Sequence, residues 1–552
     1  MFFTFLTPDC KASTETGRRG MVVSQHPLAS EVGLSILKQG GNAVDAAVAT
    51  AFALGVVEPY HSGIGGGSFI LIRNAGTGET VAIDAREEAP MAARRDMFRR
   101  NGVVVEGLST KGPLAVAVPG TVAGLALALE KYGTMSLREV MEPSIRIAEE
   151  GVEIDPFFHD VLVDKRDLLA RDPETASIYL KTGSEPHPAG FRLIQSDLAG
   201  TYRKIAEGGP EAFYRGEIAA AIAACMKKSG GIITRDDLIA YAPIVREPVR
   251  GTYRGLEVVS MPPPSSGGVH LVQILNMMEG FDPPDPDASG PDIVYLQHLI
   301  ESMRLAFRDR ALYLGDPDFV EVPVDRLLSK EYARGLRESL KGGGAGEGET
   351  GDDGDQKSSD GGTSHLGVID ADGNMVSLTQ TINLWFGSGV TVPGTGIILN
   401  DEMDDFSAMP GVPNEFGLVG SEANAIEPGK RPLSSMCPTV ILRDGKPFLI
   451  LGSRGGPRII TSVLQVALNV IDFGMDPGRA IEAPRVHHQW LPDLLYVEKE
   501  FPPDLRLALE GRGYRLEEMK AGIGCVSGIL VDEEGRITGI PDPRGIGAAR
   551  GY

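Results

Sequence analysis

Apolar residues recur at three- and four-residue spacing through most of the chain before residue 341, and at alternate positions through much of the chain after residue 363. The chain therefore reads as a helix-rich part followed by a strand-rich part. In the first part, Met21-Val22-Val23-Ser24 predicts a short strand, and His26-Pro27-Leu28-Ala29-Ser30 supplies helix start signals. Ala, Val and Leu then recur up to Ala49, and Gly40-Gly41-Asn42 divides this stretch into two helices, the second built of small residues that suit the core. Residues 69–72 and 80–84 predict a hairpin ending at Arg86-Glu87-Glu88. Helices are predicted over 121–129, 137–150, 211–228 and 293–314, with a strand at 255–260. After residue 363, Leu366-Gly367-Val368-Ile369 leads into the turn Asp370-Ala371-Asp372-Gly373-Asn374 and a returning strand over 375–383. Further strands are predicted at 396–400, 438–442 and 447–452, a helix at 457–471, and at least one helix and two strands within 495–531.

The hairpin carries a register. If its strands pair symmetrically about Asp372, Thr363 lies opposite Thr381. Alternation then places Ser377, Thr379, Thr381 and Asn383 on one face of the returning strand and Val376, Leu378 and Ile382 on the other.

Composition narrows the function classes. A formal net charge of -22 argues against nucleic acid and anionic lipid as partners. Cys10, Cys225, Cys437 and Cys525 are far apart and no H-E-x-x-H occurs, so no disulfide framework, structural metal or cofactor is expected. No run reaches the roughly 18 apolar residues of a membrane span. The apolar opening over residues 1–6 is short and lacks a basic flank, so it does not resemble a complete secretory signal. Cytoplasm is then the default compartment. Length alone suggests two to four domains. The glycines of 61–68 precede a strand and lack a Gly-Lys-Ser/Thr sequence, so they predict a tight backbone approach between layers rather than a phosphate cradle. Residues 341–362 form one low-complexity run of glycines, acids and small polar residues.

The seam at Gly362–Thr363 is where chemistry is expected. A threonine hydroxyl placed against its own preceding carbonyl can attack it, giving an ester that water cleaves. The freed α-amine, with an intrinsic pKa of about 7.7–8.0, then serves as base for the hydroxyl of the same residue. Gly361 and Gly362 tolerate the backbone geometry this requires.

Five further motifs follow in order. They are Thr381-Ile382-Asn383, Asn400-Asp401-Glu402-Met403-Asp404-Asp405, Arg431-Pro432-Leu433-Ser434-Ser435-Met436, Gly452-Ser453-Arg454-Gly455-Gly456, and Ala483-Pro484-Arg485-Val486-His487-His488. Together with Thr363-Ser364-His365 and Ile83-Asp84-Ala85-Arg86-Glu87, the chain closely resembles the γ-glutamyltransferases, or glutathione hydrolases, almost end to end. These are self-processing N-terminal-nucleophile hydrolases.

The resemblance implies an α+β, four-layer αββα fold of two stacked antiparallel sheets flanked by helices. It implies a precursor cut between Gly362 and Thr363 into a large chain, 1–362, ending in a flexible tail over 341–362, and a small chain, 363–552, together forming one domain. Thr363 would be the nucleophile and Thr381 its hydrogen-bond partner. Arg86 would bind the donor α-carboxylate, with Ser434 and Ser435 contacting it. Asn383, Glu402 and Asp405 would hold the donor's α-amino and α-carboxylate groups. Gly455 and Gly456 would form the oxyanion hole. The donors implied are glutathione and other γ-glutamyl compounds, and the acceptors are water, amino acids or dipeptides. Family members outside the cytoplasm imply a periplasmic or extracellular location. The lid segment carries Phe416 where many relatives have a tyrosine, which keeps the apolar cover but removes a latching hydroxyl. Two other readings stay open: a glutaryl or cephalosporin acylase of the same superfamily, and an unprocessed binding protein with this fold.

Overall fold

The computed structural model describes residues 14–282, 290–341 and 361–552. The apolar opening and most of the low-complexity run lie outside the described residues. Three residues of that run lie in regular elements. Lys341 closes the helix Lys330–Lys341, and Gly361 and Gly362 begin the strand Gly361–Ile369, where they pair with Leu384 and Asn383.

Two seven-stranded sheets stack face to face between helices, giving the α+β, αββα architecture. One sheet runs Ile244–Arg246, Thr80–Ala85, Gly67–Arg73, Met375–Leu384, Gly361–Ile369, Met21–Ser24, Ala548–Gly551, and every pairing in it is antiparallel. The other runs Glu15–Gly17, Ile537–Pro541, Cys525–Val531, Lys446–Arg454, Thr439–Arg443, Leu256–Ser260, Val249–Tyr253. Both sheets contain strands from before and from after residue 363, paired directly with one another. Pro27–Lys38, Ala43–Val57 and Thr121–Tyr132 cover the first sheet, and Gly267–Met278, Ile293–Tyr313 and Arg458–Ile471 cover the second. No helix among the described residues is long and apolar enough to cross a bilayer.

Local chemistry explains why the Thr363 hairpin is so fixed. Every residue of Ala43–Val57 is buried, and its small side chains let it lie against the hairpin, where Gln380 Nε2 donates to Ala51 O at 3.0 Å. Asp370 in the turn accepts from Asp372 N and Asn374 N at 3.0 and 2.9 Å, and its other oxygen accepts from Ala43 N at 2.9 Å. One carboxylate thus closes the turn and caps a helix.

The glycine loop makes the expected close approach. A Cβ on Gly65 would stand 1.9 Å from Ile398 O, and one on Gly66 would stand 1.9 Å from Thr381 O. Some expected elements differ. The helix expected over 211–228 is two, Pro210–Tyr214 and Glu217–Ser229, because Gly216 packs on Ala212. The strand expected over 396–400 shrinks to Ile397–Ile398, since Gly394 and Gly396 turn the chain at positive φ.

Candidate active site

The strand Gly361–Ile369 pairs with Met375–Leu384 in the expected symmetric register, Thr363 opposite Thr381. The register slips between Gly362 and Thr363, so that Gly362 faces Asn383 and Ile382 is the extra residue. Asn383 takes φ of 77°, an uncommon left-handed conformation for a residue with a side chain. A Cβ on Gly362 would lie 2.4 Å from Leu384 O, so only glycine fits immediately before Thr363.

The bulge brings three oxygens together. Thr363 Oγ1 and Thr381 Oγ1 are 3.1 Å apart, and Thr381 Oγ1 donates to Gly362 O at 2.6 Å. Asn383 N donates to Thr381 Oγ1 at 2.9 Å. The hydroxyl-bearing face of the returning strand is buried between the sheets: Ser377 donates to Leu451 O across the gap, and Thr379 meets His365 Nδ1 at 2.9 Å.

Thr363 opens onto a pocket lined also by Thr381, Arg86, Asn383, Glu402, Asp405, Phe416, Ser434, Ser435 and Gly456. Gly455 is not in this lining. It packs against Gly524 at φ 124°, directly before Gly456 at φ 57°. The Phe416 ring covers Gly456, where an added Cβ would meet it at 2.7 Å.

Arg86 leaves the end of Thr80–Ala85 with its main-chain N held by Asp84 Oδ1 at 3.0 Å. Its side chain is fully buried, donating through Nε to Pro432 O at 3.0 Å and through Nη1 and Nη2 to Glu402 and Asp405. Glu402 and Asp405 come from one short 3-10 turn, Glu402–Asp405, which puts both carboxylates beside one guanidinium. Burial alone would lower the Arg86 pKa, but Glu402, Asp405 and Glu87 outweigh it and hold the charge. Burial pushes Glu402 well above the usual carboxylate range against the pull of Arg86, with Glu87 and Asp405 adding to the rise. Glu87 rises to about 7, through burial opposed by Arg86. Asp404 also reaches about 7 through burial, although Ser109 and Glu415 N donate to it.

The chain matches the family description Gamma-glutamyltranspeptidase over residues 29–552. It belongs to the gamma-glutamyltranspeptidase family. It is 46% identical to the glutathione hydrolase proenzyme of Escherichia coli K12 over 96% of this chain and 91% of that protein. Among solved structures, the cephalosporin acylase from Bacillus halodurans superposes with a TM-score of 0.84 at 32% identity, covering 100% of this chain and 99% of the other. The gamma-glutamyltranspeptidase of Helicobacter pylori superposes with a TM-score of 0.56 at 45% identity, covering 57% of this chain and 90% of that chain.

In this gamma-glutamyltranspeptidase-family chain, sequence reasoning missed several residues of the site. Met436 and Ile459 line the pocket, and Arg310 bonds to Ser435. Behind Thr363, Ser364 Oγ donates to Glu58 Oε2 at 2.9 Å, and Ser62 joins Ser364 to Gln380. Burial would raise Glu58, but His61 and Arg454 overcome it and hold it at about 2, so it stays an anion. Glu58 sits at the end of an apolar helix, where a carboxylate has no local pattern to mark it.

Proposed function

We propose that this chain is a self-processing γ-glutamyltransferase and glutathione hydrolase that cuts itself between Gly362 and Thr363. The observation that carries this reading is the Thr363–Thr381–Gly362 contact. The Thr381 hydroxyl has one proton, directed to Gly362 O, so it accepts from the Thr363 hydroxyl and polarises the carbonyl beside it. Thr363 Oγ attacks the Gly362 carbonyl carbon, the hydroxyl proton passes to the Thr363 nitrogen, the C–N bond breaks, and the acyl group moves to oxygen. Water then cleaves the ester, leaving a Gly362 carboxylate and a Thr363 α-amine. In later turnovers that amine takes the hydroxyl proton while Oγ attacks the γ-carbonyl of a donor. The donor's amine leaves carrying a proton, and the γ-glutamyl ester passes to water, an amino acid or a dipeptide.

The pocket's charges support an amino-acid donor. Arg86 suits an α-carboxylate, the Ser434 and Ser435 hydroxyls add donors, and Glu402 and Asp405 offer acceptors for an α-ammonium. Gly456 N lies close enough to Gly361 that a Cβ there would meet it at 2.9 Å, which suits an oxyanion donor beside the cut.

Denaturing gels with mass analysis test the cut. Wild type should give two chains, the smaller beginning at Thr363, and should turn over a γ-glutamyl anilide faster with glycylglycine present. Thr363→Ala should stay full length and inactive. Cleavage surviving that change would remove Thr363 from its role, and an uncut, inactive wild type would leave a binding protein. Similarity to a cephalosporin acylase favours a second reading, a glutaryl-type amidase, whose substrate lacks the α-amine. Asp405→Asn separates the two. The γ-glutamyl reading expects KM to rise by roughly tenfold for γ-glutamyl p-nitroanilide and little for the glutaryl anilide, and equal rises would reject it.

A further inference from the structure

The γ-glutamyl reading leaves one cation of the site without a task. Arg310 lies near the end of the long helix Ile293–Tyr313 and is only 5% exposed. Among the described residues its hydrogen-bond partners are the Ser266 and Ser435 hydroxyls, with no carboxylate in ion-pair reach. A buried guanidinium in that position is costly unless something nearby uses its charge. Burial pulls it down to about 10, while Asp405 supports its charge and Arg86 opposes it. Both of those residues line the donor pocket.

The hydrogen-bond count says where its influence goes. Arg310 Nε donates to Ser266 Oγ at 3.1 Å, and Nη2 donates to Ser435 Oγ at 3.4 Å. Ser266 in turn donates to Ser434 O twice, from Oγ and from N, each at 2.8 Å. The guanidinium therefore grips the Ser434–Ser435 corner from two sides. Because Ser435 Oγ accepts from Arg310, its single proton is left for a neighbour, and the hydroxyl lines the pocket. A cation behind it strengthens that donation towards an anion.

We infer that Arg310 is a positioning residue for the anionic end of the donor, fixing the Ser434–Ser435 corner and adding a second positive charge behind it to that of Arg86. The inference rests on the γ-glutamyl reading of the pocket. Its test compares γ-glutamyl p-nitroanilide with γ-aminobutyryl p-nitroanilide, which keeps the amine and lacks the carboxylate. Processed wild type should favour the first donor. In processed Arg310→Met, KM for that donor should rise roughly tenfold with kcat changed less, while KM for the second stays put. Arg310→Lys should recover part of the loss. Equal changes on both donors would mean that Arg310 only packs, overturning the inference. A wild type that does not distinguish the donors would overturn the pocket reading itself. Should the Met variant fail to process, Ser266→Ala removes the Nε acceptor, and the same donor-selective rise in KM is expected; a non-selective change overturns the inference.

Discussion

Thr381 Oγ1 has three polar neighbours and one proton, and the role proposed for it rests on that arithmetic more than on its place on the strand. It accepts from Asn383 N, meets Thr363 Oγ1 and donates to Gly362 O. Thr381→Val keeps shape and removes all three bonds. The first cut should then slow by roughly a hundredfold, read from the growth of the smaller chain on a timed gel; cutting at the wild-type rate would refute the role. The Thr363–Thr381 pairing was legible in the sequence, because a symmetric hairpin about Asp372 admits one register. That Arg86 lines the pocket was legible only through the chain's resemblance to the family, since alone among acids it reads as a surface ion pair. Arg310 was not legible. On a 21-residue helix a basic residue reads as a solvated face, and only the packing of distant Ser266 and Ser435 against it gives it meaning.

At the scale of elements, the site depends on how closely backbones approach. Gly66 presses on Thr381 O, so a Cβ at 1.9 Å must push the returning strand aside and carry the Thr381 hydroxyl with it. Gly66→Ala should therefore slow processing at least tenfold and lower the melting temperature, because small misplacements at a reacting centre are costly. Gly200→Ala meets nothing within 4 Å on the helix Ser196–Gly208 and should do neither. A Gly66→Ala protein that processes and melts like wild type would refute the claim that this contact places the strand. The helix Gly267–Met278 went unread because the prolines before it and the two glycines that begin it mark a turn, while burial of all its residues supplies the drive to form it. The bulge beside Thr363 was also illegible: it comes from Gly362 fitting under Leu384, which periodicity does not register.

Across the whole molecule, buried histidines and carboxyls set opposing responses to acid. Burial holds His365 at about 3, so it is neutral when folded, whereas the unfolded side chain titrates near 6.5. Its contribution is complete above about pH 6.5 and shrinks as pH falls towards 3, because the unfolded chain gains the proton first. Glu87 and Asp404, raised to about 7 by burial, act in the other direction by holding protons that the unfolded chain releases. In uncut Thr363→Ala protein, the stability lost between about pH 7.5 and about pH 5 should be about 2 kcal/mol smaller when His365 is changed to Gln. Urea unfolding at the two pH values checks this, and an unchanged loss would mean His365 is not a buried neutral group.

The direct pairing of early with late strands bears on the life of the protein after the proposed cut. Pairings across the seam join Glu15–Gly17 to Ile537–Pro541, Leu256–Ser260 to Thr439–Arg443, and Met21–Ser24 to both Gly361–Ile369 and Ala548–Gly551. Gly67–Arg73 is likewise zipped to Met375–Leu384. While the chain is whole, its own connectivity keeps the two parts at an effective concentration of about millimolar. Once cut, pieces that come apart in dilute solution lose that advantage and must find each other by diffusion. The mature molecule would then be a structure assembled once, by a tether it no longer has, and its endurance would be a matter of how slowly it opens rather than how readily it reforms.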